Sequence, residues 1–159
     1  MKSVPCGTIQ FVHVPFHIFL EDIKQFANYI EKKFKPKHIY GVAKGGLIVA
    51  CWVAYYMKSN SKVYPIYVKV KCSNCGREHL TDSPVLSVKP GDIIIDDIYD
   101  TGTTLSDLTE AYWNAQICFL YSKKTFMRTT RKGKIFVGRQ IITDEYVILP
   151  FEGDAATDA

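Results

Sequence analysis

Apolar positions along the chain alternate between helical spacing and short continuous runs. Five apolar residues recur every three or four positions over residues 21–35, and they predict a helix that ends before Pro36, because proline cannot continue a helix. The run at 38–43 predicts a short buried strand, and the apolar stretch after Lys44 predicts a second helix. The face of that helix expected to be buried comprises Leu47, Ala50, Cys51, Ala54 and Met57.

The second half of the chain continues this alternation. The predicted elements are a strand at 63–70, a long loop or hairpin at 71–90, a strand at 93–95, a helix at 103–112, and strands at 117–121, 135–141 and 146–149. Strands separated by helices predict an α/β fold with a mostly parallel sheet, whose ligand crevice lies at the carboxyl ends of the strands. We therefore expect the functional residues directly after Ala43, Ile95 and Tyr121.

The composition predicts one folded domain. Of the 159 residues, 47% are hydrophobic and 23% are charged, which excludes wholesale disorder. No apolar run approaches the roughly 18 residues of a bilayer span, and the N-terminus lacks the apolar stretch of a signal peptide. The five cysteines are an odd number and favour a reducing compartment, so we expect a cytoplasmic protein. We expect a single domain over residues 1–152 and a flexible tail over 153–159.

The charge distribution adds little. Twenty basic and 16 acidic residues give a net charge of +4, which only mildly favours anionic ligands. A solvated, charge-rich surface explains the basic excess equally well, and a phosphate-rich small molecule is the alternative. We expect neither a nucleic acid nor a membrane as a partner.

Three acids and three threonines fall within nine positions after the predicted strand at 93–95. Adjacent residues leaving a strand point to opposite sides, so Asp96 and Asp97 can address two partners, such as neighbouring hydroxyls or a metal-bound water. The stretch after Asp100 presents backbone N–H groups and hydroxyls at a helix start, which favours a phosphate. A helix cap alone needs only one such residue. We interpret the set as a site that holds a sugar phosphate at both ends.

Two segments carry a resemblance to a known family. The segment IIIDDIYDTGTTL resembles the phosphoribosyl pyrophosphate (PRPP) signature of the type I phosphoribosyltransferases: an apolar strand, two acids, two variable residues, then Asp-Thr-Gly-x-Thr. The segment IYGVAKGGLIVA resembles the family's pyrophosphate loop, in which a basic residue and two glycines open a helix. Alone, that loop is equally an ordinary strand-to-helix turn that uses glycine for tight geometry.

The C-terminal third narrows the resemblance. CFLYSK and DEYVILPFE are similar to segments of the short xanthine-guanine phosphoribosyltransferases, so the likeness spans roughly residues 20–152. It implies the type I phosphoribosyltransferase fold, with a mostly parallel central sheet flanked by helices and a small hood and C-terminal region that binds the base. It further implies a homodimer or homotetramer.

The resemblance also implies a reaction, in which PRPP and a nucleobase give a nucleoside 5′-monophosphate and pyrophosphate with the help of Mg²⁺. Asp96 and Asp97 would contact the ribose hydroxyls and the metal waters, and Asp100 would accept a proton from the purine N7. The 5′-phosphate would be bound by Thr101, Gly102, Thr103 and Thr104. The pyrophosphate would be bound by Lys44, Gly45 and Gly46.

For the base, the resemblance implies three contacts. Lys123 would contact the 6-oxo group of a purine, with Lys124 as the alternative, while Tyr146 would stack on the base and Val147 would contact it through its backbone. A solvated lysine and a half-buried strand aromatic are the structural alternatives for Lys123 and Tyr146. The favoured bases are 6-oxopurines such as guanine, xanthine or hypoxanthine.

The chain departs from the subfamily pattern at three places. Lys44 replaces an arginine, Thr103 replaces a glycine, and the predicted hood loop at 71–90 lacks a Ser-Tyr pair found in many purine enzymes. That loop holds Cys72, Cys75 and His79, which are compatible with half of a zinc site, with a redox pair or with a plain hairpin. The alternative to an enzyme is a PRPP- or nucleotide-sensing protein that keeps the fold without useful turnover.

Overall fold

A computed structural model describes residues 10–67, 88–102, 104–106, 108, 112, 115–123, 135–141 and 143–153. The elements within these residues are β1 (Phe11–His13), α1 (Phe16–Lys33), β2 (His38–Val42), α2 (Gly45–Tyr56), β3 (Lys62–Ile66), β4 (Ile93–Tyr99), β5 (Gln116–Ser122), β6 (Ile135–Gln140) and β7 (Tyr146–Ile148). Thr104, Leu105, Ser106 and Leu108 are also helical, within the helix expected at 103–112.

The strands form two parallel sheets. The larger has five strands in the order β3-β2-β4-β5-β6, and the smaller pairs β1 with β7. Every pairing is parallel, which confirms the predicted α/β class. Pro65 lacks a backbone N–H and lies in β3, at an edge of the larger sheet, where a strand tolerates proline.

The larger sheet is buried on both faces because its side chains alternate between two cores. Ile93 and Ile95 belong to the core that includes α1 and α2, whereas Ile94 belongs to the core that includes Leu108. A strand covered on both sides reads as a continuous apolar run, which explains the Ile-Ile-Ile signal at the start of β4. The strand predictions at 38–43 and 117–121 are confirmed to within one residue at each end.

The structure corrects the bounds of the first helix and adds a strand that was not predicted. The first helix begins at Phe16 rather than at residue 21, directly after Pro15, and no side chain caps it, so the sequence carries no polar start signal. It ends at Lys33, and Lys35 adopts a left-handed φ of 48°. Strand β1 was not predicted at all, because its three residues are too few to show a period.

The predicted buried face of α2 is confirmed for Ala50 and Met57 and is wrong elsewhere. The helix buries Gly46, Val49, Ala50 and Val53, while Cys51 is exposed. Its sequence, GGLIVACWVAYY, is apolar nearly all round, so spacing alone does not select a face. The face is selected instead by how closely the glycines at its start approach the sheet.

Candidate active site

The order of the larger sheet creates a crevice between β2 and β4. From β2 the chain passes to β3 on one side and returns to β4 on the other, so the connections leaving β2 and β4 diverge. Ligands of open α/β sheets bind at the carboxyl ends of strands where the order reverses. The pyrophosphate-loop residues and the acids of the PRPP signature therefore meet at one place in the fold.

Two glycines at the start of α2 lie directly against the acids of β4. A Cβ on Gly45 would collide with the Asp97 carboxylate, and one on Gly46 would lie 2.6 Å from the Ile95 carbonyl oxygen and 2.8 Å from the Asp96 Cα. Only glycine permits this approach, because real Cβ atoms do not come within such distances of other heavy atoms. The glycines therefore have the tight-geometry role that the sequence left open, whether or not they also bind pyrophosphate.

Strand β4 continues four residues beyond the end expected from the sequence. Asp96 and Asp97 do not leave the strand but lie within it, and Asp96 pairs with Phe119 of β5. Asp96 is only 7% exposed, which excludes the alternative that both acids are surface turn residues. The backbone N–H of Asp97 donates to Asp96 Oδ1 at 2.9 Å, and the N–H of Ile98 donates to Asp97 Oδ1 at 2.8 Å.

Ionisation of these two carboxyl groups is unfavourable in the folded protein. Burial raises the pKa of Asp96 well above its ordinary value, and the negative charge of Asp97 raises it further. Burial also raises the pKa of Asp97, while the hydrogen bond from the Ile98 N–H opposes the rise. A bound cation or a set of hydroxyl donors would relieve this cost, because either stabilises the ionised carboxylates.

The turn after β4 brings Asp100 to Lys123. The Lys123 ammonium donates to Asp100 Oδ2 at 3.2 Å, and the Lys123 backbone N–H donates to the Tyr99 carbonyl oxygen at 3.0 Å. The Lys123 side chain is 10% exposed and that of Asp100 is 45% exposed. Lys123 is thus not a freely solvated lysine, and the two residues expected at the base form an ion pair. Lys124 lies outside the described residues.

Behind this pair, β5 is anchored to α1. The hydroxyl of Tyr121 donates to Asp22 Oδ2 at 2.8 Å, and Arg139 Nη1 donates to both carboxylate oxygens of Asp22 at 3.0 Å. Tyr121 and Asp22 are both buried, so these bonds replace water that neither group can reach. The anchor fixes the end of the strand that carries Lys123.

The candidate phosphate residues follow Asp100. Thr101 is exposed, Gly102 has a φ of 88°, and Thr104 is half-buried at the start of the helical residues. The N–H of Ser106 donates to the Gly102 carbonyl oxygen at 2.9 Å, which closes the first helical turn. Thr103 lies outside the described residues. The positive φ requires glycine at 102, where a Cβ would also lie 2.9 Å from the Tyr99 hydroxyl oxygen.

The candidate pyrophosphate residues open α2. Lys44 is exposed and stands at the N-cap, the Ala43–Lys44 peptide is cis, and the first turn holds neither an acid nor a side-chain cap. No ion pair to Lys44 occurs within the described ranges. An N-terminus without acids or side-chain caps leaves N–H donors and positive dipole charge available for an anion.

The smaller sheet approaches the acids from the opposite end of the chain. Tyr146 is 49% exposed, and its ring contacts that of Phe11 edge to face, with centroids 6.0 Å apart. Burial raises the pKa of the Tyr146 phenol, and the negative charges of Glu152, Asp97 and Asp100 raise it further, so the ring lies within electrostatic reach of the acids. Val147 is buried at the centre of β7, so its side chain serves the core.

Comparisons with solved structures agree with this architecture. The chain is similar to a purine phosphoribosyltransferase from Pyrococcus horikoshii, with 25% identity and a TM-score of 0.67, covering 89% of this chain and 93% of that one. It is similar to a xanthine-guanine-hypoxanthine phosphoribosyltransferase from Helicobacter pylori, with 16% identity, a TM-score of 0.64 and coverage of 93% and 97%. A hypothetical protein from Neisseria gonorrhoeae with bound ppGpp gives 14% identity, a TM-score of 0.70 and coverage of 95% and 94%.

The chain has the type I phosphoribosyltransferase fold. The likeness spans most of the chain, and the purine phosphoribosyltransferases among these neighbours support an enzyme of that class. No family model and no curated protein matches the sequence. Among the described residues, no helix of this phosphoribosyltransferase fold is long and apolar enough to cross a membrane.

Two residues near the site were missed by the sequence analysis. Phe11 contacts Tyr146 across the β1–β7 pair, and Glu152 accepts a hydrogen bond from the Leu149 N–H at 2.7 Å. Burial raises the pKa of Glu152, and the charge of Asp97 adds to the rise. Glu152 could have been identified from the sequence, because it is an acid within the segment DEYVILPFE. No local sequence feature marks Phe11 as a residue of the site.

The candidate zinc residues Cys72, Cys75 and His79 lie outside the described residues. Within the described part of the chain, no cluster of three or more His, Cys, Asp or Glu side chains is arranged to hold a metal ion. Any cation at the acids of β4 would therefore need ligands besides the protein.

Proposed function

We propose that the protein transfers the phosphoribosyl group of PRPP to a 6-oxopurine. One observation carries this proposal: the buried acids of β4 lie against the glycine-opened start of α2, at the strand-order reversal of a phosphoribosyltransferase fold. That arrangement brings the carboxylates next to the N–H groups at the start of α2, where the ribose and the pyrophosphate of PRPP would be bound side by side.

The acids would act on the ribose. Breaking the anomeric bond builds positive charge on the ribose ring before the base nitrogen arrives. Asp96 and Asp97, held by backbone N–H groups, are fixed carboxylates that would stabilise this charge more than the ground state. Because they are already positioned, little reorganisation would be needed during the reaction.

The two helix starts would hold the two phosphate ends. Thr101, Gly102, Thr103 and Thr104 would bind the 5′-phosphate through N–H groups and hydroxyls. Lys44, Gly45 and Gly46 would bind the leaving pyrophosphate. Lysine is a point charge without the guanidinium fork, so its contact with the diphosphate would be less directional than that of an arginine.

The donor set of β4 fits Mg²⁺. Asp96 and Asp97 offer hard oxygen ligands on adjacent residues, and a nearby cation would offset the cost of ionising them, which burial raises. Two carboxylates suffice, because Mg²⁺ keeps several waters and binds substrate phosphates. When bound, the ion would neutralise negative charge on the departing diphosphate.

The ion pair favours a 6-oxopurine. Lys123 and Asp100, 3.2 Å apart, can address neighbouring positions on one edge of a base. A 6-oxopurine presents an O6 acceptor on that edge, whereas adenine presents an amino donor at position 6. The Lys123 ammonium only donates, so it would bind a 6-oxo group and oppose a 6-amino group. Asp100 would take the N7 proton.

The test is pyrophosphate release from PRPP and Mg²⁺ with hypoxanthine, guanine, xanthine, adenine or uracil. We expect turnover with at least one 6-oxopurine, and kcat/KM for adenine lower by about 10-fold or more, the effect of opposing a charged donor to another donor. Equal turnover with adenine would remove Lys123 from base selection. No turnover with any base would contradict the enzymatic proposal.

A second candidate function is nucleotide sensing without turnover. The neighbour from Neisseria gonorrhoeae was solved with ppGpp bound, and its TM-score of 0.70 exceeds those of the two enzymes compared above. A crevice that accepts PRPP and a purine offers the same groups to a nucleotide that carries diphosphates. Binding of PRPP or ppGpp by calorimetry, together with silence across the base panel, would favour this function.

A further inference from the structure

The smaller sheet joins two segments from opposite ends of the chain. Phe11 is the register partner of Tyr146, and His13 is the partner of Ile148. The Val14 N–H also donates to the Ile148 carbonyl oxygen at 3.0 Å, and the Tyr146 N–H donates to the Gln10 carbonyl oxygen at 2.9 Å. The orientation of β7 therefore depends on the N-terminal segment as well as on its own sequence.

One face of this two-stranded sheet belongs to the core and the other carries exposed rings. Val147 is 3% exposed and packs with α1 in the core, whereas Phe11 is 40% exposed and Tyr146 is 49% exposed. Side chains alternate across strands, so the register partners Phe11 and Tyr146 project from the same face, opposite Val147. The two rings therefore form one apolar patch that is partly open to solvent.

The charges near Tyr146 identify what that surface faces. Asp97 and Asp100, from β4 and the turn after it, both raise the Tyr146 pKa. These acids belong to the candidate active site, so the exposed ring pair borders the crevice. Within the described residues, Phe11 is the ring in contact with Tyr146, at an interplanar angle of 74°.

We propose that Phe11 is a positioning residue for the base, which holds the Tyr146 ring in the orientation that stacks on a purine. This inference rests on the proposed function for its substrate and on the structure for its geometry. An edge-to-face contact restricts rotation of the Tyr146 ring, so the stacking surface is formed before the base arrives. Strand β1 thereby becomes part of the base site.

The experiment compares four proteins: the wild type, Phe11→Leu, Phe11→Tyr and Phe16→Leu. In Phe11→Leu the side chain stays apolar but loses its ring, whereas in Phe11→Tyr it keeps a ring. Phe16 is the matched control, since it is 56% exposed and lies near β1, and the described residues include no ring partner for it. Each protein is tested for GMP binding by calorimetry and for the KM of guanine and of PRPP.

We expect Phe11→Leu to raise the Kd of GMP and the KM of guanine about three- to tenfold, the range of an aromatic pair contact. The KM of PRPP should change less than twofold, because the ribose and phosphate contacts lie on other elements. Phe11→Tyr should give wild-type values of all three constants. A Phe11→Leu protein that matches Phe16→Leu in all three constants would overturn the inference.

A second measurement does not depend on the proposed function. The ring resonances of Tyr146, assigned by their loss in Tyr146→Phe, report the Phe11 contact in the free protein. We expect Phe11→Leu to shift these resonances and Phe16→Leu to leave them unchanged. Unshifted resonances overturn the inference even if GMP binds. A shift without any GMP binding by the wild type overturns the proposed function and the role toward a purine, and leaves only the ring contact supported.

Discussion

The two sides of the candidate site are built differently. The floor, which we define as Gly45, Gly46, Asp96 and Asp97, lies at the centre of the larger sheet, where backbone atoms and glycine contacts fix every group. The rim, defined as Phe11, Asp100, Lys123 and Tyr146, is formed by side chains from four separate segments, most of them substantially exposed.

This contrast indicates which residues of the candidate site can be substituted without disturbing the fold. A larger residue at Gly46 could be accommodated only by moving β4 or α2, because its Cβ would lie 2.6 Å from the Ile95 carbonyl oxygen. The rim depends on long side chains that can be exchanged without disturbing the sheet. Under the proposed function, the floor would bind the ribose and the diphosphate of PRPP, and the rim would select the base.

The largest expected effect comes from Asp100, where the rim takes part in chemistry. Asp100→Ala should lower kcat by about 10²-fold or more, because it removes the group that would accept the N7 proton. The KM of PRPP should change little, since the floor remains intact. Steady-state kinetics with the preferred base measure both. Asp144→Ala, at an exposed position, is the control, and unchanged turnover in Asp100→Ala would exclude a base function.

Gly46→Ala tests the floor. The added Cβ would lie 2.6 Å from the Ile95 carbonyl oxygen and 2.8 Å from the Asp96 Cα, and neither backbone atom can turn aside. We expect kcat/KM for PRPP to fall about 10²-fold, the scale of a displaced catalytic group. In the control Gly153→Ala the Cβ meets open space and only the positive φ of 66° is strained, so we expect the wild-type value. Wild-type kinetics in Gly46→Ala would contradict the tight-floor interpretation.

Lys123→Met sharpens the contrast because it changes the rim alone. Methionine keeps the length and apolar stem of the side chain but cannot donate to a 6-oxo group. The KM of the 6-oxopurine should rise about tenfold, the effect of losing one charged hydrogen bond. The KM of PRPP should stay near that of the wild type. A larger effect on PRPP than on the base would place Lys123 with the floor.

The floor could be predicted from the sequence and the rim only in part. Asp96, Asp97, Gly45 and Gly46 stand in two contiguous segments, so local order alone brings each pair together. Tyr146 required a family resemblance, because its pairing with Phe11 joins distant segments that show no common pattern. The acids were expected just past the strand, since charged residues normally end a buried run, yet here the strand continues through them.

The smallest expected effect is on the free energy of unfolding, and it measures how much the buried Asp96 destabilises the folded protein. In the folded protein Asp96 holds its proton more tightly than in the unfolded chain, because its pKa is raised. Above a pH of about 4, the folded state therefore retains more protons than the unfolded chain, and the free energy of unfolding falls until Asp96 ionises in the folded state as well. Stability from this group is present at low pH and is lost as the pH rises through the raised pKa of Asp96.

Asp96→Asn should remove most of this decline. The amide keeps the Oδ1 acceptor for the Asp97 N–H but carries no charge, so we expect the free energy of unfolding at pH 7 to rise by about 1 kcal/mol while activity is lost. Urea unfolding in Mg²⁺-free buffer at several pH values measures the difference, with Asp144→Asn as the exposed control. Parallel curves for the wild type and Asp96→Asn would mean that Asp96 is ionised at little cost. In that case burial of Asp96 would give the floor no reason to bind a cation. Curves that converge at low pH would instead show that the charge of Asp96 destabilises the folded protein.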